Sequence, residues 1–245
     1  MKNYDTLLKD LAPQKFGRAG KIWTISLIVI IIAGIVAYID QIVRGLVVTN
    51  MNDYALWGIY ISNFVFFVAT SFVGTVTVAV LRLTNNAWRT PIVRIAEIIA
   101  VAAIIMAGFT IMLDMGRPDR LMNLFIYGRM QSPIIWDVII IPTYIAISLL
   151  LLYFPLIPDL AILKTYFKES KPKLSKWYGK LSLNWTGNVI QKAIHKKSVR
   201  IIAFLIIPAG FILQTIDAWL FSTLFRIGWD STNMGGYFIS GASVA

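Results

Sequence analysis

IWTISLIVIIIAGIVAYI, residues 22–39, decides the fold class. These 18 residues carry no charge. As a helix rising about 1.5 Å per residue they reach roughly 27 Å, close to the thickness of a bilayer's hydrocarbon core. The run is too long for a signal-peptide core, shows no small-residue cleavage site and follows a polar, mostly basic segment, residues 1–21. It reads as a retained signal-anchor helix.

Working outward, the same kind of run recurs at residues 54–81, 98–113, 138–158 and 201–216, the last extending past Asp217 to Phe225. A sixth begins at Tyr237. The sequence stops at Ala245 inside what reads as a helix, so the expectation is a piece of a longer protein or a bundle completed by another chain. The chain is 58% hydrophobic and only 14% charged, with mean hydropathy +0.71. A soluble domain of about a quarter charged residues has no such apolar excess to hide. The fold class is therefore all-α: a polytopic transmembrane helical bundle of five spans plus the start of a sixth. Residues 1–21 form a cytoplasmic segment, and 22–56 the first span and its outer loop. Residues 57–225 form a four-helix bundle with a basic cytoplasmic loop at about 159–198, and 226–245 an outer loop and the sixth start.

The net charge of +11 could suggest nucleic acid, but the charges sit in blocks between uncharged runs, a pattern that fits membrane topology better than a nucleic-acid-binding face. With five spans, 18 of the 23 Lys and Arg fall on one side, in the N-terminal segment, the loop after the second span and the loop after the fourth. Only Arg44, Arg117, Arg120, Arg129 and Arg226 fall on the other. The positive-inside rule then puts the N-terminus in the cytoplasm and the chain in the inner (cytoplasmic) membrane as a multi-pass protein. Trp177, Tyr178 and Trp185, in the basic loop, read as interfacial anchors against lipid headgroups.

Absences narrow the chemistry. The chain has no Cys, which excludes disulfides, thiolate-bound clusters and Cys nucleophiles. Its single His, His195, lies in the basic loop, so no span offers an axial haem ligand. There is no Walker motif, no lysine placed for a retinal Schiff base and no metal-ligand cluster. Any redox work is expected to proceed without haem or metal in this chain.

Carboxylates at membrane depth remain: Glu97, Asp114, Asp137 and Asp217. Charge in hydrocarbon is costly, so each is a functional candidate weighed against a structural role. Glu97, three residues after Arg94, is an ion-pair partner or a proton path. Asp114, three before Arg117, caps a helix or faces a ligand. Asp137, after Trp136, serves a helix dipole or a site. Asp217 shares a face with Gln214 and is the hardest to explain as mere structure. Ala69, Ser71, Gly74, Ala100, Ala103 and Ala107 read as close helix packing. Phe64, Phe66, Phe67 and Phe72 line an apolar pocket or face lipid.

Several stretches together resemble the NrfD-type membrane subunits, the family of the polysulfide reductase membrane subunit. They are WGIYISNFVFF at 57–67 with VGT at 73–75, WRTPIVRIAE at 88–97, MGRPDR at 115–120, SPIIWDV at 132–138, LLLYFPLIPDLA at 150–161, and GW at 228–229 before GGYFISGA at 235–242. The closest likeness is to the quinol-binding membrane subunit of alternative complex III. Where that pattern expects His, this chain has Phe72, Asp114, Gln214 and Asp230. The resemblance implies the first NrfD-type four-helix bundle of a protein with eight to ten helices and no haem. It implies a quinone (menaquinone or ubiquinone) near the outer face, an iron–sulfur, ferredoxin-like partner docked there and further membrane subunits. On this reading Asp217, Asp114 and Asp137 handle protons, Gln214, Arg117, Phe72 and Asn63 bind the quinone, and Glu97 lies on a proton path. The alternatives are a non-catalytic anchor and assembly subunit of such a complex, and, less favoured, a secondary transporter.

The orientation is open to direct test, because this sequence contains no cysteine of its own. In sealed cells Lys171→Cys should resist a membrane-impermeant maleimide and Tyr127→Cys should react. Labelling at position 171 would reverse the topology.

Overall fold

The computed structural model describes residues 17–51, 58–84 and 89–223, apart from the side chains at 89–91 and 169–170. Residues 226–245, with the expected sixth helix and Asp230, lie outside these, as do residues 1–16. The described residues form helices joined by short turns, without a strand. These are α1 (Arg18–Arg44), α2 (Gly58–Thr84), α3 (Arg89–Asp114), α4 (Leu121–Ile126), α5 (Pro133–Ser170), α6 (Pro172–Leu181) and α7 (Val189–Ser222), with 3-10 turns at Leu46–Thr49 and Pro118–Arg120. Five of them, α1, α2, α3, α5 and α7, are long and apolar enough to cross a membrane. Only closed backbone hydrogen bonding is tolerated in hydrocarbon, which makes helices the available solution for these runs.

Helices α2, α3, α5 and α7 close into a four-helix ring in which α2 packs on α3 and α7, and α5 packs on α3 and α7. Its core is built from Val68, Val78, Ile104, Tyr144, Leu151, Ile206 and Leu213. Tyr144 reaches across from α5, its hydroxyl 2.6 Å from Thr75 Oγ1 on α2, so the ring's diagonal is tied by a buried polar contact. Close approach of α2 and α3 depends on Gly74: a Cβ there would lie 2.9 Å from the Ala100 methyl and 3.2 Å from the Ala96 carbonyl oxygen. This is the close packing that the small residues of these two runs forecast. Helix α1 stands apart; Gln41 is its buried residue.

Two boundaries differ from the sequence reading. The segment 159–198, expected as a loop, is largely helical: α5 runs on to Ser170, α6 follows, and α7 already begins at Val189. An uncharged run marks the stretch inside hydrocarbon, whereas a helix continues into water as long as its residues favour it. At 38 residues α5 is roughly 57 Å long, well beyond an apolar core of about 30 Å. The expected outer loop at 114–133 likewise contains α4 and a 3-10 turn. Pro142, Pro155 and Pro158 lie inside α5 without ending it. Pro158 supplies no N–H to the Phe154 carbonyl four residues back, and His195 Nε2 takes up that oxygen at 2.9 Å.

Gly74→Val should therefore push α2 from α3 and lower stability by about 1–3 kcal/mol, the usual range for overpacking. Thermal unfolding of the purified protein in detergent measures it, with Gly34→Val on lipid-facing α1, where a Cβ meets nothing within 4 Å, as the neutral control.

Candidate functional site

Because the ring alternates direction, the start of α2, the end of α3, the start of α5 and the end of α7 meet at one end. A cleft of about 350 Å³ opens there, lined by residues of α2, α3, α4, α5 and α7. Its wall is apolar over most of its area, with Phe64, Ile111, Leu124, Ile141 and Leu220 among the lining residues. Four side chains break that apolar surface with oxygen: Tyr60, Thr110, Asp114 and Asp137. Few polar groups on an apolar wall are the usual make-up of a small-molecule site, and the volume falls in the usual range.

Each oxygen has a structural reason to be there. Asp114 is the last residue of α3, where MGRP ends the helix. Asp137 is placed by the N-terminus of α5, which starts at Pro133 with Ser132 before it and is anchored by Trp136 Nε1 donating to the Met130 carbonyl at 2.6 Å. Trp136 also meets Trp219 of α7 edge to face, ring centres 5.7 Å apart, which fixes α5 against α7. Asp217 stands behind the wall at 1% exposure, hydrogen-bonded to Asp137. Two carboxylates brought together in a buried setting repel when both are charged, which favours one of them holding a proton. One oxygen of each of Asp114, Asp137 and Asp217 is shielded without a hydrogen-bond partner among the described residues. Buried polar atoms of this kind call for an explanation by function or by a bound group.

The residues singled out in the sequence divide accordingly. Asp114, Asp137 and Asp217 converge at this end. Gln214 lies one turn deeper on α7, fully buried, behind the wall. Phe64 lines the cleft, whereas Phe66 faces outward. Phe72 is core: its ring packs on Phe211 and fills the space where a Gly210 Cβ would stand, 2.6 Å away. Arg117, 62% exposed, pairs with Asp119 at 3.5 Å and does not line the cleft. Asn63 is exposed and is likewise no part of the wall. Glu97 lies at the opposite end of the bundle. There Arg82 donates to it through Nε at 3.0 Å, Arg94 Nη1 is 3.9 Å away, and Arg94 Nη2 ties to Asp159 of α5 at 2.6 Å. The expected Arg94 contact is present, but Arg82 on α2 is the nearer partner. Two residues escaped the sequence reading, Tyr60 and Gln41. Tyr60 sits inside WGIYISN; Gln41 follows Asp40 at the end of the first span, and its only signal was an amide at the edge of an apolar run.

Residues 47–245 match the NrfD family, described as polysulphide reductase, NrfD. The chain belongs to the NrfD family. Over 250 residues it is 27% identical to a Halobacterium salinarum protein provisionally named as a membrane subunit of dimethyl sulfoxide reductase, an alignment covering 100% of this chain and 53% of that one. The NrfD chain described here thus spans about half the length of that relative. The family match begins after α1 ends at Arg44, and it includes the whole four-helix ring and every residue of the cleft wall.

At the opposite end, Glu97 is almost fully buried with Arg82 as its nearest counter-charge. Removing one partner of such a pair strands the other and costs about 3–5 kcal/mol, whereas replacing both is close to neutral. Arg82→Met should therefore destabilise the protein more than the double variant Arg82→Met with Glu97→Leu, read by chemical denaturation in mixed micelles.

Proposed function

We propose that this chain is part of the membrane subunit of a respiratory oxidoreductase complex and that its cleft binds the headgroup of a membrane quinone. The observation that carries the reading is the cleft itself: an apolar recess between membrane helices whose polar groups are a tyrosine, a threonine and two carboxylates. Its fit to a quinone ring is chemical. Apolar walls suit the ring, and the wall carries oxygens that can meet its polar groups. Family membership and the name carried by the Halobacterium relative support a reductase membrane subunit. The resemblance to the quinol-binding subunit of alternative complex III supports the quinone.

A quinol supplies two electrons and two protons when it becomes a quinone. The protein's own part is to hold the ring and move those protons. Asp114 stands at the mouth and takes or returns one proton. Asp137, with Asp217 behind it, takes or returns the other, the pair relaying a proton between wall and interior. The electrons pass to an iron–sulfur, ferredoxin-like partner docked over α4 and the turn at Pro118–Arg120, on the outer face by the positive-inside rule. Other membrane subunits and lipid surround the ring, and Glu97 with Arg82 and Arg94 closes its cytoplasmic end.

Asp137→Asn keeps shape and volume but removes a proton acceptor of the kind worth about 100-fold or more in turnover. In the assembled complex it should lower quinone-linked turnover by at least that factor while partner subunits still co-purify. A non-catalytic anchor predicts wild-type turnover. Unchanged activity in both Asp137→Asn and Asp217→Asn would remove the cleft from the electron path.

A further inference from the structure

The hydrogen bonds around the cleft fix which way its hydroxyls point. Gln41 Nε2 lies 2.7 Å from the Leu113 carbonyl oxygen at the end of α3. A carbonyl oxygen only accepts, so the amide nitrogen must face Leu113 and the amide oxygen must face the other way. There it meets the Tyr60 hydroxyl at 2.6 Å. An amide oxygen also only accepts, so the single proton of Tyr60 is committed to Gln41. What Tyr60 turns to the cleft is lone pairs.

The other wall groups have the same polarity. Thr110 donates its proton to the Met106 carbonyl at 2.9 Å. Asp137 lies beside Asp217 and leaves Oδ1 without a hydrogen-bond partner among the described residues. Asp114, as a carboxylate, only accepts. Pro142 has no N–H for the Val138 carbonyl, and both residues are on the wall. The wall of the cleft thus presents acceptors. A quinone also presents only acceptors, through its two carbonyls. A hydroquinone presents two donors.

We propose that Gln41 is a positioning residue which, by engaging the Tyr60 proton, makes the cleft bind hydroquinone in preference to quinone. The inference rests on the quinone reading of the cleft and adds its redox selectivity and the residue that sets it. Gln41 belongs to α1, ahead of the family-matched region, and its hydrogen bond to the cleft wall runs to Tyr60. Helix α1 is held in place for this role at the same end. Tyr38 donates to the Met112 carbonyl at 3.3 Å, and Leu46, just beyond α1, fills the space over Gly116, 3.1 Å from where a Cβ would stand. At 5% exposure Gln41 is shielded from water that would otherwise compete for the Tyr60 proton.

The test uses the intact complex in membranes, with decylubiquinol and decylubiquinone as probes and their dissociation constants measured under anaerobic conditions. Wild type should bind the quinol more tightly. Gln41→Leu frees the Tyr60 proton to donate to a quinone carbonyl and should cut the quinol-to-quinone preference about tenfold. For a two-electron couple that is a shift of about 30 mV in the bound midpoint potential. Tyr60→Phe, which keeps the packing, should also reduce the preference, and adding Gln41→Leu to it should change nothing further. The proposal is overturned if Gln41→Leu weakens both forms equally, or if its effect survives undiminished in the Tyr60→Phe background, since either result marks a structural role. Binding of neither form to wild type would instead defeat the quinone reading itself.

Discussion

Hydrocarbon offers no hydrogen bonds, and that constraint governs the polar groups of the membrane-spanning helices. A donor or acceptor left alone there costs several kcal/mol. The backbone meets the demand by coiling into long helices, and the side chains meet it by pairing across them. Where α5 loses an N–H at Pro158, His195 of α7 takes the stranded carbonyl. Where Glu97 is buried, Arg82 and Arg94 surround it. Where Tyr144 crosses the core, its hydroxyl hydrogen-bonds with Thr75 and accepts from Ser71. The His195, Arg82 and Tyr144 pairings also each join two helices of the ring, so satisfying polar groups helps specify the bundle.

Against that background the two ends of the ring differ in kind. The basic end is electrically closed: each carboxylate described there, Glu97 and Asp159, has a guanidinium beside it. The acidic end is open. Asp114, Asp137 and Asp217 meet without an opposite charge within ion-pair range among the described residues, and Arg117, close in sequence, turns to Asp119 instead. A bundle that neutralises one end and leaves acceptors around an apolar recess at the other has a built-in polarity. That polarity fits the proposed proton exchange at the cleft end of the bundle.

The contacts near the cleft also show how α1 is tied to this end of the bundle although it contributes almost nothing to the ring. Its apolar surface faces outward along its length, and its hold on the bundle is concentrated at Tyr38, Gln41 and Leu46. One amide there has two jobs, donating to the end of α3 and accepting from α2. The direction of a hydroxyl at the cleft is thereby set from a helix that does not line it.

The sequence by itself determined the five spans found among the described residues, their order and the alternation of basic and acidic ends, because uncharged runs of 16 to 28 residues and charge-bearing connections answer to bilayer thickness and membrane potential rather than to tertiary contacts. It also flagged Asp114, Asp137, Asp217 and Glu97, since charge in hydrocarbon is conspicuous without any knowledge of neighbours. Only the tertiary structure decided which helices are adjacent, and so that Asp137 faces Asp217, that Glu97 answers chiefly to Arg82, and that Phe72 is core while Phe64 lines the cleft. Arg117 and Asn63 look as polar in the sequence as the residues that converge, but which face of a helix meets the recess depends on packing that local pattern does not encode. Tyr60 and Gln41 stayed hidden for the same reason: an uncharged tyrosine and an amide gain meaning only from the partner each one finds across two helices.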